Sequence, residues 1–149
     1  KGKDTSFPFQ DSHDKTYNVR DDSTWETLQS RIRERLKLSK NIILMLSSIT
    51  IQSRALKEEI DYGINTLSLP VIVVYPEKSE KSQILDNTSS HLSQDIKNLW
   101  SRLPIFKSSM GKVPTLHLPF KKELILSALR RSDFTVQSAC KAGPYFFKL

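Results

Sequence analysis

The residue types best suited to chemistry lie between positions 47 and 60, where a Ser/Thr-rich stretch runs into two adjacent glutamates, Glu58 and Glu59. Leu56 and Ile60 recur at helical spacing, so both glutamates fall on a predicted helix. Glu59 lies at the margin of its apolar face, and Glu58 projects about 100° away from it. A strand, a polar loop and a helix in this order form the ligand-binding junction of doubly wound folds. The pattern alone favours two solvated glutamates near a helix N-terminus.

A second polar loop lies near the start of the chain. Asp11, Ser12 and His13 follow a short predicted strand, Thr5 to Phe9. At the end of a strand, Asp11 and His13 could be presented to a ribose or nicotinamide group of a ligand. The alternative is an Asx-type turn that leads the chain away from the sheet.

The chain lacks the motifs of common phosphate, metal and hydrolase sites. It has only 4 glycines and contains neither G-x-G-x-x-G nor a P-loop as written. The histidines at 13, 91 and 117 show no metal-ligand spacing. His117 shares one side of a predicted strand with Thr115, which favours a hydrogen-bonded structural histidine. A metal centre and a hydrolase triad therefore have little support.

The composition is that of a folded domain with a basic surface. Hydrophobic residues make up 38% of the chain and the formal net charge is +7, which favours anionic partners. The basic residues are dispersed without interleaved aromatic residues, so a nucleic-acid partner is disfavoured. A single cysteine, Cys140, suits a reducing compartment. No apolar run approaches the roughly 20 residues that span a bilayer, and we expect a cytoplasmic protein that is not attached to a membrane.

Periodicity predicts alternating helices and strands, and hence one domain, 1–149, with a mostly parallel sheet between helical layers. A capping box from Ser23 to Glu26 precedes a predicted helix, Thr24 to Leu38. Two apolar runs, Ile42–Leu46 and Val71–Tyr75, predict adjacent or near-adjacent interior strands buried on both faces. The polar segment 77–91 is predicted to be a mobile surface segment.

Several segments together resemble the TIR-like proteins related to the NAD+-cleaving subunit of the Thoeris antiphage system. The resemblance covers about the first half of the chain, Lys1 to Tyr75, and rests on the order and spacing of its motifs. The motifs are Phe7-Pro8-Phe9-Gln10-Asp11-Ser12-His13-Asp14, Arg31-Ile32-Arg33-Glu34-Arg35-Leu36, Leu56-Lys57-Glu58-Glu59-Ile60 and Pro70-Val71-Ile72-Val73-Val74. The second half matches mainly in the order of its strands and helices.

This resemblance implies a three-layer flavodoxin-like or TIR-like sandwich and an NAD+ glycohydrolase or ADP-ribosyl cyclase. In the family, an acidic residue on the helix after the Ser/Thr loop is the catalytic glutamate, and the position before Ile60 assigns this role to Glu59. NAD+ would be the substrate, with no separate cofactor and no metal. The residues that would bind the nucleotide are Asp11, Ser12, His13 and Ser53.

The resemblance also implies partners and leaves an alternative open. The nucleotide product would act on a separate effector protein, phage infection would be the trigger, and a homo-oligomer is an open option. The alternative function is a non-catalytic scaffold of the same fold that works through protein–protein contacts. A nucleic-acid-binding module rests only on the net charge and is the weakest reading.

Two features depart from the family pattern. Ala55 stands where the family usually has a bulky aromatic residue, which would alter the nucleotide pocket. The first strand of the fold, which is central in a flavodoxin-like sheet, has no counterpart in the chain. We therefore expect the natural protein to have residues before Lys1 that form this strand, a prediction that the intact mass of the natural gene product would test.

Overall fold

The structure is a computed structural model, and it describes residues 24–131, 135 and 141–146. Its strands are β1 (Ile42–Met45), β2 (Val71–Tyr75), β3 (Pro114–Pro119) and β4 (Gly143–Tyr145). Its α-helices are α1 (Trp25–Lys37), α2 (Arg54–Asp61), α3 (Gln94–Trp100), α4 (Pro104–Ser109) and α5 (Lys122–Arg130). A π-helical turn, Tyr62–Thr66, extends α2, and short 3-10 turns lie at Lys81–Gln83 and Met110–Lys112.

The four described strands form one sheet in the order β1-β2-β3-β4, and every neighbouring pair is parallel. Ile42 pairs with Val71, so the two apolar runs are adjacent strands as predicted. On the other side of β2, Val73 pairs with His117 of β3. The mostly parallel α/β sheet predicted from the sequence is therefore confirmed.

Helices cover both faces of this sheet. Val71, Val73 and Tyr75 of β2 belong to a core that includes buried residues of α1 to α4. Ile72 and Val74, which point to the opposite face, pack with α5. All five residues are 1% exposed or less, and burying such a side chain contributes about 1.5–3 kcal/mol. The fold is the expected three-layer sandwich.

The strand β1 is less enclosed than its continuous apolar sequence predicted. Ile42 and Leu44 are buried, but Ile43 is only half-buried and Met45 is 42% exposed. Within the described residues, β1 pairs with β2 alone and forms an edge of the sheet. The prediction that β1 is buried on both faces is therefore wrong, whereas its interior position stays a prediction because residues 1–23 lie outside the described part of the chain. The predicted strand Thr5 to Phe9 lies outside the described residues.

The helix α1 begins one residue later than its predicted capping box implied. Thr24 is the N-cap, and its hydroxyl oxygen accepts a hydrogen bond from the Thr27 N–H at 3.1 Å. Ser23, the predicted cap, lies outside the described residues. Ile32 and Leu36 are the buried residues of α1, and their spacing of four confirms the predicted apolar face.

The helix α2 approaches β1 closely at its C-terminal end. A Cβ atom on Gly63 would lie 2.5 Å from Cδ1 of Ile42, a distance that no ordinary van der Waals contact allows. Glycine at this position therefore lets the π-helical turn pack directly onto the strand.

The segment 77–91 has local structure and an apolar anchor. It contains the 3-10 turn Lys81–Gln83, and the side chain of Ile84 is fully buried. Leu85 and Leu92 form an isolated antiparallel bridge. Whether this segment is more mobile than its flanks stays a prediction, which amide exchange would test. None of the helices in the described ranges has the length and apolar character that crossing a membrane requires.

Candidate functional site

The helices α1 and α2 run parallel, and both begin at the carboxyl edge of the sheet. Arg54 lies over the ring of Trp25, with 4.1 Å between Cζ and the ring centroid. Four residues further along both helices, Gln29 Nε2 donates to Glu58 Oε1 at 3.1 Å. Because α2 follows β1 directly, its N-terminus and the adjacent N-terminus of α1 lie where parallel strands present ligands.

The loop between β1 and α2 is anchored by three other parts of the fold. Both carboxylate oxygens of Glu77 accept hydrogen bonds from Ser48, one from its N–H at 2.9 Å and one from its hydroxyl. Arg102 Nε donates to the carbonyl oxygen of Thr50 at 3.0 Å. The Ile105 N–H in the first turn of α4 donates to Gln52 Oε1 at 3.3 Å. The loop backbone is therefore held before any ligand arrives.

This anchoring leaves two isoleucine side chains of the loop exposed to solvent. Ser48, Thr50 and Gln52 are held, whereas Ile49 is 80% exposed and Ile51 is 77% exposed. Two isoleucines are thus presented on a braced loop at the carboxyl edge. Single exposed apolar residues are common on protein surfaces, but a fixed pair beside a candidate site favours a contact surface.

Further contacts join the other loops of the carboxyl edge. The Phe120 N–H, just after β3, donates to the carbonyl oxygen of Lys78 at 2.6 Å. Lys121 Nζ donates to Glu80 Oε1 at 2.8 Å. The hydrogen bonds from Ser48 lower the pKa of the Glu77 carboxyl below its usual value, the largest effect coming from the Ser48 hydroxyl. Glu77 therefore stays ionised and continues to hold the loop through the neutral pH range.

The predicted catalytic residue, Glu59, is buried with 9% exposure. It is the sixth residue of α2, about 8 Å along the helix from its N-terminus. The side chain of Glu58 is also only 10% exposed, because Arg33 and Gln29 of α1 hold it. The interpretation of both glutamates as solvated surface groups is therefore wrong. The parallel packing of α1 against α2 encloses Glu58.

Ser53, predicted to bind the nucleotide, has a defined structural role. It is the N-cap of α2, and its hydroxyl oxygen accepts a hydrogen bond from the Leu56 N–H at 3.0 Å. The cap satisfies one of the backbone donors left free in the first turn of the helix. A role in nucleotide binding stays a prediction, as it does for Asp11, Ser12 and His13, which lie outside the described residues.

Replacing Ser53 should separate its capping role from its size. We expect Ser53→Ala to lower the free energy of unfolding by about 1 kcal/mol and Ser53→Gly by only a few tenths, because glycine is tolerated as an N-cap. Urea denaturation of the two variants and the wild type measures both values. Equal unfolding free energies for the two variants would contradict the capping role.

His117 is buried and takes part in a chain of hydrogen bonds with Tyr75, Trp100 and Thr115. The Trp100 indole N–H donates to the Tyr75 hydroxyl at 3.0 Å, and this hydroxyl lies 2.6 Å from His117 Nδ1. On the other side of the ring, Nε2 lies 2.8 Å from the Thr115 hydroxyl. The interpretation of His117 as a hydrogen-bonded structural histidine is confirmed.

The burial of His117 and the donor-to-acceptor direction of these hydrogen bonds both favour a neutral imidazole ring. An indole N–H can only donate, so the Tyr75 hydroxyl accepts from Trp100 and gives its own proton to His117 Nδ1. Nε2 then carries the ring proton and donates it to Thr115. Desolvation lowers the pKa of His117 to about 3 and raises the pKa of Tyr75. Neither side chain ionises near neutral pH.

The residues that brace the loop were not identified from the sequence. Glu77 and Arg102 are 29 and 52 positions away from the residues that they hold. Neither lies in a recognisable motif, so only the folded arrangement brings them to the loop. For Glu77, its place two residues after the end of β2 is the one available signal.

Comparison with known proteins identifies the family. The chain matches the family model described as Thoeris protein ThsB, TIR-like domain, over residues 1–81. This match covers more than half of the chain and includes α1, β1, α2 and β2, and with them the contacts between α1 and α2 and the loop between β1 and α2. The chain therefore belongs to the family of the TIR-like domain of the Thoeris protein ThsB.

Proposed function

We propose that this protein is an NAD+-consuming TIR-like enzyme of antiphage defence, an NAD+ glycohydrolase or ADP-ribosyl cyclase. Membership in the ThsB TIR-like family supports the antiphage context. The observation that carries the enzymatic proposal is the burial of Glu59, a carboxylate with 9% exposure in α2, the helix that follows β1 at the carboxyl edge of a parallel sheet. Charged side chains are rarely buried without a structural or functional reason.

Cleavage of NAD+ is a reaction that a largely buried carboxylate can assist. Cleavage of the bond between nicotinamide and ribose passes through an oxocarbenium-like state, and a nearby carboxylate stabilises its positive charge. Such stabilisation is stronger where water is excluded. In this proposal, Glu59 also orients a ribose hydroxyl or a water molecule. Water as the acceptor gives ADP-ribose, and an internal nucleophile gives a cyclic isomer that acts on a separate effector protein.

The other predicted binding residues complete the proposal. Ser53 lies at the N-terminus of α2, where the free N–H groups of the first turn suit a phosphate of NAD+. Asp11, Ser12 and His13 would contact the ribose or the nicotinamide. NAD+ is the substrate, and the proposal needs no metal and no further cofactor.

The direct test is an NAD+ cleavage assay. Purified full-length protein is incubated with NAD+ in the presence and absence of phage-infected cell lysate, and nicotinamide release is followed by chromatography. We expect release that increases with the lysate, together with ADP-ribose or a cyclic isomer. No release in either condition would refute the enzymatic proposal.

A protein–protein scaffold is the second candidate, and the exposed pair Ile49 and Ile51 favours it. A scaffold would protect cells from phage through contacts rather than turnover. We therefore compare phage protection by cells that express Glu59→Gln with protection by cells that express the Ile49→Asp/Ile51→Asp double variant. Protection lost only in Glu59→Gln supports the enzyme, and protection lost only in the double variant supports the scaffold.

A further inference from the structure

We propose that Arg33 is a positioning residue that fixes the rotation of α2 about its axis and thereby the position of the Glu59 carboxylate. Arg33 acts through Glu58, the neighbour of Glu59 on the helix. This inference rests on the proposed function, because it gives Glu59 the catalytic role.

The first step concerns how Glu58 is held. Arg33 Nε donates to Glu58 Oε2 at 2.7 Å, and Gln29 Nε2 donates to Glu58 Oε1 at 3.1 Å. Each carboxylate oxygen therefore has its own donor from α1. Charge-assisted hydrogen bonds are short and directional, so this pair of contacts fixes the orientation of the carboxylate as well as its position.

The second step concerns Arg33, whose side chain contacts two successive turns of α2. The Arg33 guanidinium also lies over the ring of Tyr62, with 4.7 Å between Cζ and the ring centroid. Tyr62 follows Glu58 by four residues and lies on the same side of the helix. The hydrogen bond to Glu58 is the largest of the effects that raise the pKa of Arg33. The guanidinium stays charged and holds both residues.

The third step connects the contacts of Arg33 to the position of Glu59. Adjacent residues on an α-helix are about 100° apart, so a rotation of α2 moves Glu58 and Glu59 together. For a carboxylate about 5–6 Å from the helix axis, a rotation of roughly 20° moves its oxygens by about 2 Å. Misplacement of about 1 Å in an active site can cost a hundredfold in rate. Holding Glu58 therefore holds Glu59.

The apolar face of α2 does not supply the same control. Leu56 and Ile60 pack into the core, but hydrophobic contacts are non-directional and do not orient a polar side chain. Directional contacts from α1 restrict the rotation that remains. We therefore expect substitution of Arg33 to lower the rate of NAD+ cleavage while the protein remains folded.

The test compares Arg33→Ala and Arg33→Lys with Arg31→Ala, an exposed arginine on the same helix. We expect Arg33→Ala to lower kcat for NAD+ cleavage about tenfold or more with KM changed less than about twofold. Arg33→Lys keeps the charge but lacks the planar fork, so its loss should be smaller. Arg31→Ala should match the wild type. Thermal denaturation establishes that each variant is folded at the assay temperature.

The outcomes distinguish this inference from the proposed function. Equal kcat values for Arg33→Ala and Arg31→Ala would overturn the positioning role. If the wild type does not cleave NAD+, the proposed function fails, and amide exchange in α2 then decides whether Arg33 holds the helix. Faster amide exchange in α2 of both Arg33 variants than of Arg31→Ala supports the positioning role of Arg33, and unchanged exchange overturns it.

Discussion

A Glu59→Gln variant is expected to lose roughly a hundredfold or more of its NAD+ turnover and to fold like the wild type. The substitution keeps the size of the side chain and removes the negative charge that would face an oxocarbenium-like state. Removal of one preorganised electrostatic group typically costs about 10²–10³ in kcat. Because Glu59 is 9% exposed, its charge would act where little water screens it. Nicotinamide release under saturating NAD+ measures the loss directly.

The matched control for this experiment is Glu34→Gln. Glu58, although adjacent, is unsuitable because its carboxylate accepts hydrogen bonds from both Gln29 and Arg33. Glu34 is exposed on α1, and its ion pair with Lys37 has a distance of 3.5 Å. Exposed pairs of this kind contribute little to stability, so Glu34→Gln should leave turnover unchanged. Wild-type turnover in Glu59→Gln would remove the catalytic assignment.

The parts of the fold with strong periodicity were predictable from the sequence. The helices α1 and α2 carry apolar residues four apart, and β2 is a continuous apolar run that the structure buries on both faces. These patterns depend only on the local repeat of a helix or strand. The predicted bounds of β1 also differ from the structure by only one residue at one end.

The helix α4 was not predicted, and its contacts explain why. It has six residues, begins at Pro104 and has no side-chain hydrogen bond from its own N-cap residue. Its first turn instead donates to Gln52, which lies 53 positions before Ile105 in the chain. A short helix that depends on a distant acceptor leaves only Pro104 as a local signal, since proline is favoured in the first turn.

The candidate site could be predicted only in part, for a similar reason. Helical spacing placed Glu59 at the margin of an apolar face, which is compatible with its burial. The enclosure of Glu58 could not be read from that spacing, because it depends on the register of α1 beside α2. Its two donors, Gln29 and Arg33, lie 29 and 25 positions away in the chain, and no local pattern specifies how two helices align.

The second large effect expected is a loss of stability in mild acid that depends on His117. The pKa of this buried ring is lowered from 6.5 to about 3 in the folded protein, by desolvation. Below pH 6.5 the unfolded chain therefore binds a proton that the folded chain does not. Stability is complete above this pH and falls by up to about 1.4 kcal/mol per unit as the pH decreases toward 3.

Between pH 7 and pH 5, this one group should lower the free energy of unfolding by about 2 kcal/mol. His117→Asn removes the titrating ring while its amide oxygen can still accept from the Tyr75 hydroxyl. The variant leaves a cavity and should be less stable at pH 7. Its further loss on going to pH 5 should be smaller than the wild-type loss by the same 2 kcal/mol or so. Urea denaturation at both pH values gives the two differences.

The comparison isolates His117 because the carboxylates titrate in both proteins and cancel in the difference. His91→Asn is the matched control, since the side chain of His91 is 74% exposed and its removal should preserve the wild-type loss. The direction of the hydrogen bonds strengthens the expectation beyond burial alone. The Tyr75 hydroxyl accepts a hydrogen bond from Trp100 and donates its proton to Nδ1 of His117. A second ring proton, on Nδ1, would point at this hydroxyl proton. Rotation of the hydroxyl would relieve the repulsion, but it would also break the hydrogen bond that the hydroxyl donates. An equal loss of stability in the wild type and His117→Asn would mean that the ring accepts a proton without unfolding, and the neutral, buried histidine would have to be abandoned.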